Sequence, residues 1–221
     1  MCEVGEEFGL ANSTMHVAIG YLDRILQQAT VPKNQLQLVA MCCVLIAAKY
    51  EEAEECVPSV QKLNDYANNS YKHEVIHHTE VLVLSRLGWS LTVTTALHFL
   101  GYFFAKGVVF TSDTMAGKPL IARVPRYVKK YMDFFADLCQ QEYTFQEYLP
   151  SQLAAAIVVA SRRALNIVPT WEPALAEVLF YTEADLAPCF EHVWRYFREN
   201  FPAQAGAADE PQTSPATISA V

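Results

Sequence analysis

Apolar residues recur at helical spacing along almost the whole chain, whereas segments that alternate apolar and polar residues are scarce. This pattern predicts an all-α protein. Asn12-Ser13-Thr14 offers N-cap side chains for a helix, and Gly88 offers a C-cap for another. Ten helices are expected, at residues 1–8, 12–27, 36–52, 58–67, 71–87, 92–105, 125–141, 150–166, 172–181 and 184–200.

Two of these helices are rich in small and apolar residues on nearly every side, which is typical of a helix at the centre of a bundle. They lie at residues 38–48 and 150–166, and Leu153 follows Leu38 by 115 residues. The same helix order before and after the join near Leu91 predicts an internal duplication into two five-helix units. The expected organisation is a first unit at 1–91, a second at 92–201, and a disordered tail at 202–221.

Composition narrows the class of protein further. Hydrophobic residues make up 52% of the 221 residues and charged residues 18%, which excludes wholesale disorder. The formal net charge of −8 disfavours binding to nucleic-acid phosphates. The six cysteines show no CxxC spacing and are expected to be free thiols in a reducing, intracellular compartment. The longest apolar run is too short to span a bilayer, so no membrane partner is expected.

One short motif is typical of zinc peptidases: His73-Glu74-Val75-Ile76-His77 matches HExxH on a predicted helix. A third ligand is missing at the offsets that such enzymes use. The motif is therefore interpreted as the polar face of an amphipathic helix, with a zinc peptidase as a remote alternative. The buried face of that helix is expected at Val75, Val81, Leu82, Leu84 and Leu87.

A second motif is the abrupt end of the third helix in Lys49-Tyr50-Glu51-Glu52. Together with Leu22-Asp23-Arg24 and Thr79-Glu80 this motif resembles the cyclin family, and the resemblance spans nearly the whole chain. The stretches EYTFQEYLPSQLAAA and PTWEPAL are most similar to J-type members of the family. The resemblance implies two tandem five-helix cyclin boxes, the first lacking the start of its first helix, as in a fragment or truncated gene product.

The resemblance also implies that the protein is a non-catalytic, activating subunit of a cyclin-dependent protein kinase in the cell cycle, found in nucleus and cytoplasm. In the family, a lysine ending the third helix and a glutamate on the fifth grip the kinase, and they match Lys49 and Glu80. No cofactor or metal is expected. The positions that match the kinase-binding surface are Lys49, Tyr50, Glu52, Glu80, Leu84, Trp89 and Leu91.

Cyclins also carry a groove that docks substrate or inhibitor peptides. Its apolar part precedes the first residues of this chain, so only a partial groove is expected, at Glu3, Lys33, Leu36 and Gln37.

Two further short motifs are present in the chain. Ser214-Pro215 fits a minimal proline-directed phosphorylation site, and Arg162-Arg163-Ala164-Leu165 is interpreted as part of a packed helix. The alternative is a tandem-box module that binds nucleic acid through basic residues at Arg123, Arg126, Lys129 and Lys130.

Overall fold

The computed structural model describes residues 2–115 and 117–209 and confirms a helical fold of two tandem units. The chain divides into these compact units between Thr95 and Ala96, four residues beyond the expected join at Leu91. The first unit contains α1 (Cys2–Phe8), α2 (Asn12–Gln28), α3 (Leu36–Glu51), α4 (Val60–Tyr66) and α5 (His73–Arg86). The second contains α6 (Ala96–Lys106), α7 (Val124–Gln140), α8 (Pro150–Ala164), α9 (Ala174–Leu179), α10 (Glu183–Asn200) and α11 (Pro202–Asp209). Short 3₁₀ turns lie at Glu54–Cys56 and Tyr143–Glu147.

Helix α3 is the central helix of the first unit, as its all-round apolar sequence predicts. It packs against α2 on one side and α5 on another. Every residue from Cys42 to Ala48 is buried, and exposure returns abruptly at Lys49 and Tyr50. The change from buried to exposed residues therefore occurs within one turn, so the last turn of α3 presents polar side chains above the core.

The expected buried face of α5 is wrong for three of its five residues. Val75, Val81 and Leu82 are each more than 40% exposed. The residues that face the core are Ile76, Glu80, Val83 and Leu87, which repeat at helical spacing. The prediction failed because the buried face contains the carboxylate of Glu80. A prediction based on hydrophobicity treats this residue as exposed and therefore assigns the wrong face of α5 to the core.

Helix α8 has the central position in the second unit and packs against α6, α7 and α10. Residues 154–162 are buried without interruption, and four of them are alanines. Small side chains let the surrounding helices approach closely, while Phe135, Trp194 and Phe197 fill the space around α8. The two units thus repeat one plan, with a central helix whose sequence is apolar on all sides.

A three-stranded sheet and a buried ion pair were not predicted. Strands β1 (Thr114–Met115), β2 (Lys118–Pro119) and β3 (Ile167–Val168) pair antiparallel in the order β2-β1-β3. Beside them, Arg162 of α8 makes a bidentate ion pair with Asp113, and both side chains are fully buried. The pair joins α8 to the segment between α6 and α7, which sequence analysis treats as a plain loop.

The expected disordered tail needs a correction over its first eight residues. Residues 202–209 form α11, which packs against α8 and α10 and buries Ala205. The rings of Phe197 and Phe201 stack just before α11. This aromatic contact provides apolar packing at the start of a segment whose own sequence has no apolar periodicity. The remainder of the expected tail, including Ser214-Pro215, lies outside the described residues.

Among the side chains that the structure describes, four thiols are buried in the two cores: Cys42, Cys43, Cys139 and Cys189, hereafter the buried thiols. Burial raises the pKa of Cys42, Cys43 and Cys189 to about 12, and that of Cys139 also rises. Cys56 is a free thiol and is exposed. None of the described helices is both long and apolar enough to cross a membrane.

Candidate functional site

Lys49 and Glu80, the two residues most important to the sequence prediction, form a salt bridge. The Lys49 Nζ lies 2.5 Å from Glu80 Oε1, although the residues are 31 positions apart. The packing of α3 against α5 brings them together. The lysine side chain is 47% exposed and that of the glutamate only 10%, so the pair stands at the edge of the core with its cation toward solvent.

The carboxylate of Glu80 has acceptor capacity beyond the lysine. Its second oxygen, Oε2, lies 3.7 Å from Nδ1 of His77, which is too long for a hydrogen bond. A carboxylate has about four lone-pair positions, and an ammonium group has three donors. The salt bridge therefore leaves hydrogen-bonding positions on both partners that a second protein can use.

Two aromatic side chains lie on the exposed surface of the same unit. Tyr50 is 49% exposed, and its hydroxyl hydrogen-bonds with Oγ1 of Thr92 at 3.0 Å. Trp89 is 66% exposed and follows Gly88 in a left-handed turn, with φ of +55° at the tryptophan itself. A bulky residue at positive φ is strained, so the fold holds this indole in solvent at an energetic cost.

Leu84 and Leu91 are half-buried and pack against the core of the first unit. The Leu91 carbonyl accepts a hydrogen bond of 2.6 Å from the Tyr21 hydroxyl, which fixes the segment after α5 onto α2. These leucines have a packing role in the free protein, and each retains some exposed surface for a partner.

Glu52 has a structural role that sequence analysis missed. Its Oε1 accepts hydrogen bonds from the backbone N–H of Ala11 at 2.7 Å and from the hydroxyl of Thr14 at 2.6 Å. The Glu52 side chain thus accepts from the N–H of the residue just before α2, where the N-cap residue Ala11 has no capping side chain of its own.

A surface cavity of about 600 Å³ borders Glu52 and Lys49 and has Val57 and Pro58 in its wall.

The candidate docking residues separate into two pairs. Glu3 and Gln37 line a cavity of about 230 Å³ whose apolar wall is formed by Val4, Met41 and Leu63. Gln37 Oε1 accepts a hydrogen bond from the Tyr71 hydroxyl. Lys33 and Leu36 are exposed near the start of α3 and are not among the residues that line this cavity.

The HExxH residues lie on α5, as predicted. The rings of His73 and His77 meet edge to face with centroids 4.9 Å apart. Among the residues that the structure describes, no group of three His, Cys, Asp or Glu side chains is arranged to hold a metal ion. Glu74 and His78 are exposed on the same helix.

The basic residues considered for nucleic acid binding lie at and near the start of α7. Lys129 is in a salt bridge with Asp133 one turn further along that helix. This pairing neutralises one of the four charges, on a chain whose net charge is −8. A salt-dependent DNA-binding assay tests this alternative directly.

Two tandem helical boxes, the first carrying an exposed charged and aromatic surface, define a protein of the cyclin class. Residues 1–92 match the cyclin N-terminal domain family, and residues 94–215 match the cyclin C-terminal domain family. The chain belongs to the cyclin family.

Similar proteins include Cyclin-D of Ostreococcus tauri, which is 37% identical over 213 residues, covering 95% of this chain and 56% of that protein. Cyclin-J of Xenopus laevis is 32% identical over 197 residues, covering 86% of this chain and 51% of the other. Cyclin-J of Homo sapiens is also 32% identical over 197 residues, and the alignment covers 86% of this chain and 50% of the human protein. J-type cyclins are therefore among the relatives, as the sequence resemblance indicated. The chain spans about half the length of these relatives.

A solved structure supports the fold. The X-ray structure of a viral cyclin from herpesvirus saimiri superposes with a TM-score of 0.70, covering 89% of this chain and 80% of that one. The two sequences are 18% identical, so this match concerns the fold alone.

Proposed function

We propose that the protein is a regulatory and activating subunit of a cyclin-dependent serine/threonine kinase that acts in cell-cycle control. The observation that carries the proposal is the Lys49–Glu80 salt bridge at the edge of the first core. Membership of the cyclin family supports it. In this proposal the chain itself catalyses no reaction, and the phosphoryl transfer takes place in the kinase.

The salt bridge suits this role because it is preorganised. Each partner is held on a packed helix, so binding requires little additional ordering of either side chain. Lys49 can donate to carbonyl oxygens and Glu80 can accept from N–H groups of a kinase backbone while the bridge between them persists. Charge-assisted hydrogen bonds of this kind are stronger than neutral ones, and the buried position of Glu80 reduces their screening by water.

Exposed aromatic side chains supply the apolar part of the proposed interface. Trp89 and Tyr50 present large rigid surfaces, and such residues often dominate binding energies when a partner covers them. Leu84 and Leu91 add apolar area beside them. Glu52 contributes mainly by holding the first residues of α2 in place.

Activation follows from differential affinity. A cyclin that binds the active arrangement of its kinase more tightly than the inactive one shifts the kinase population toward the active state. The ion pair and activation segment of the kinase are then in position for phosphoryl transfer. We place the complex in nucleus and cytoplasm as part of the same proposal.

The experiment is affinity purification of the tagged chain from cells, with mass-spectrometric identification of the bound kinase and an assay of its activity. Lys49→Ala together with Glu80→Gln is expected to lower kinase recovery and activity at least tenfold. The matched control is Lys129→Ala with Asp133→Asn, which removes an exposed salt bridge from the second unit. Equal kinase recovery with the Lys49/Glu80 variant and with wild type would show that Lys49 and Glu80 do not form the kinase interface.

The cavity at Glu3 and Gln37 supports a second part of the proposal, the docking of substrate or inhibitor peptides. An apolar wall with one carboxylate and one amide can receive a peptide that carries an apolar and a basic side chain. Lys33 and Leu36 would contact the flanks of such a peptide. A kinase assay with protein substrates tests this, since Gln37→Ala should reduce phosphorylation of a docked substrate without reducing kinase recovery.

A further inference from the structure

The second unit contains a cavity of about 280 Å³ whose lining includes none of the candidate kinase and docking residues. It opens between α8, the segment before α9, and the first half of α10. Two half-buried aromatic side chains, Trp171 and Phe190, line it together with Leu186 and Ala187. At about 30 Å³ of liquid per water molecule, the volume equals about nine waters, so an apolar side chain can enter and displace several.

Ring stacking and a cation–π contact hold Phe190 in the wall of this cavity. Phe190 stacks on Trp194 with ring centroids 6.2 Å apart. The guanidinium of Arg163 lies 4.6 Å from the Trp194 ring centroid and 5.7 Å from that of Phe190. Stacked rings held by a cation–π contact lose little freedom when a ligand binds, and that lowers the entropic cost of binding.

Two carboxylates are among the residues that line the cavity. Glu183 and Glu191 are exposed residues of α10, and both line it. They are eight residues apart, which is about 12 Å along a helix at 1.5 Å per residue. Ala187 and Phe190 lie between them on the same face of α10. The order along the helix is thus carboxylate, apolar surface, carboxylate, with Arg163 on the neighbouring helix as the one cation among the lining residues.

We infer that this cavity, hereafter the α8–α10 cavity, binds an extended peptide with the pattern basic-x-apolar-x-basic. In an extended chain, alternate residues point to one side and the first and fifth are about 13 Å apart. That span matches the separation of the two glutamates. The apolar side chain enters the cavity against Trp171 and Phe190, the basic side chains pair with Glu183 and Glu191, and Arg163 can donate to a peptide carbonyl.

The inference is independent of the proposed kinase contact, because all of its residues belong to the second unit. Charge complementarity selects the partner: a peptide with acidic flanks meets two carboxylates and is rejected. The α8–α10 cavity therefore gives this cyclin a second recognition surface for a basic, partly apolar peptide segment of another protein.

The test is fluorescence anisotropy of a labelled peptide, Gly-Lys-Ala-Leu-Ala-Lys-Gly, titrated with the full chain. Binding in the micromolar range is expected, weakening as salt rises. Replacing both lysines by glutamate, or the leucine by alanine, is expected to abolish it. Glu183→Gln and Glu191→Gln should each weaken it about two- to fivefold, as expected for exposed charge pairs.

Two further variants separate specific binding from general attraction. Ala187→Arg places a large cation in the mouth of the cavity and should abolish binding; Ala187 is exposed on a helix, so folding is retained and is checked by circular dichroism. Glu199→Gln removes an exposed carboxylate of α10 that is not among the residues lining the cavity, and it should leave affinity unchanged. Equal affinity in all variants, equal binding of the lysine and glutamate peptides, or no binding at millimolar concentration would each overturn the inference.

Discussion

Asp113→Asn is expected to destabilise the second unit strongly, because it removes the charge that neutralises Arg162. All five N–H donors of that guanidinium are engaged. Two of them donate to Asp113, at 2.6 and 2.8 Å. The others reach the carbonyls of Thr170, Val108 and Pro169 at 2.9, 2.8 and 2.7 Å. Asparagine keeps the shape of the side chain but turns an NH₂ group toward a donor.

The complete burial of the Arg162–Asp113 pair determines how much unfolding free energy the variant loses. Both side chains are 0% exposed, so in the variant the guanidinium charge stays buried without a counter-charge. Removing one partner of a buried ion pair costs about 3–5 kcal/mol. Asp113 also accepts from the N–H of Phe110 at 2.8 Å, a bond that asparagine can keep. Because a domain is stable by only about 5–15 kcal/mol, the second unit would lose a large share of its stability.

Urea unfolding followed by tryptophan fluorescence measures this cost. Trp171 and Trp194 report on the second unit, and Trp194 is 1% exposed, so its emission changes on unfolding. At a slope of about 1.5 kcal/mol per molar urea, the midpoint should fall by about 2–3 M. Asp133→Asn is the matched control: its carboxylate pairs with Lys129 at the surface, where such pairs contribute about 1 kcal/mol or less.

A midpoint for Asp113→Asn that falls no further than that of Asp133→Asn would refute this reasoning. Asp113→Leu with Arg162→Met provides a second test. Removing both charges should restore only part of the stability that Asp113→Asn loses, because the carbonyls of Thr170, Val108 and Pro169 then lack the donors that Arg162 provides.

Four further results are expected. Tyr21→Phe should cost about 1–3 kcal/mol in urea unfolding, because the Leu91 carbonyl loses its partner, and unchanged stability would contradict this role. Burial raises the pKa of the Tyr21 hydroxyl to about 12 from an ordinary 10, so the unfolded chain loses this proton at a lower pH than the folded protein does. The contribution of Tyr21 to the free energy of unfolding should therefore be complete below pH 10 and be lost between pH 10 and 12, and Tyr21→Phe should remove this pH dependence. Native alkylation followed by peptide mass spectrometry should modify Cys56 and leave the buried thiols unmodified until denaturant is added; rapid native labelling of a buried thiol would show that the core opens. Glu52→Ala should cost about 1–3 kcal/mol in the first unit, whereas Glu54→Ala, the control at an exposed position, should cost less than about 0.5 kcal/mol.

Much of the candidate site follows from residues that lie close together in the sequence. The run that ends in Lys49-Tyr50 marks the point at which a buried helix meets solvent, and the structure has that transition at the same residues. Resemblance to cyclins then paired Lys49 with Glu80. The structure adds the 2.5 Å contact itself and the spare acceptor capacity of Glu80, since both depend on how α3 packs against α5.

Other parts of the molecule could not be predicted, because their partners are distant in sequence. The orientation of α5 depends on Glu80 facing Lys49, and a hydrophobic pattern treats a carboxylate as a surface residue. Asp113 appears as an ordinary loop residue until α8 brings Arg162 against it. The carboxylates of the α8–α10 cavity become a pair only because Trp171 and α8 close the space beside α10.

The sequence by itself determined the number and order of the first ten helices, the two central helices and the membership in the cyclin family. These properties follow from local periodicity and from motifs read directly along the chain. The tertiary structure alone decided which polar groups meet: Lys49 with Glu80, Arg162 with Asp113, and Glu52 with the start of α2. The reason is physical, because hydrophobic spacing specifies which face of a helix avoids water, while a buried charge is stable only where the complete fold brings it a partner.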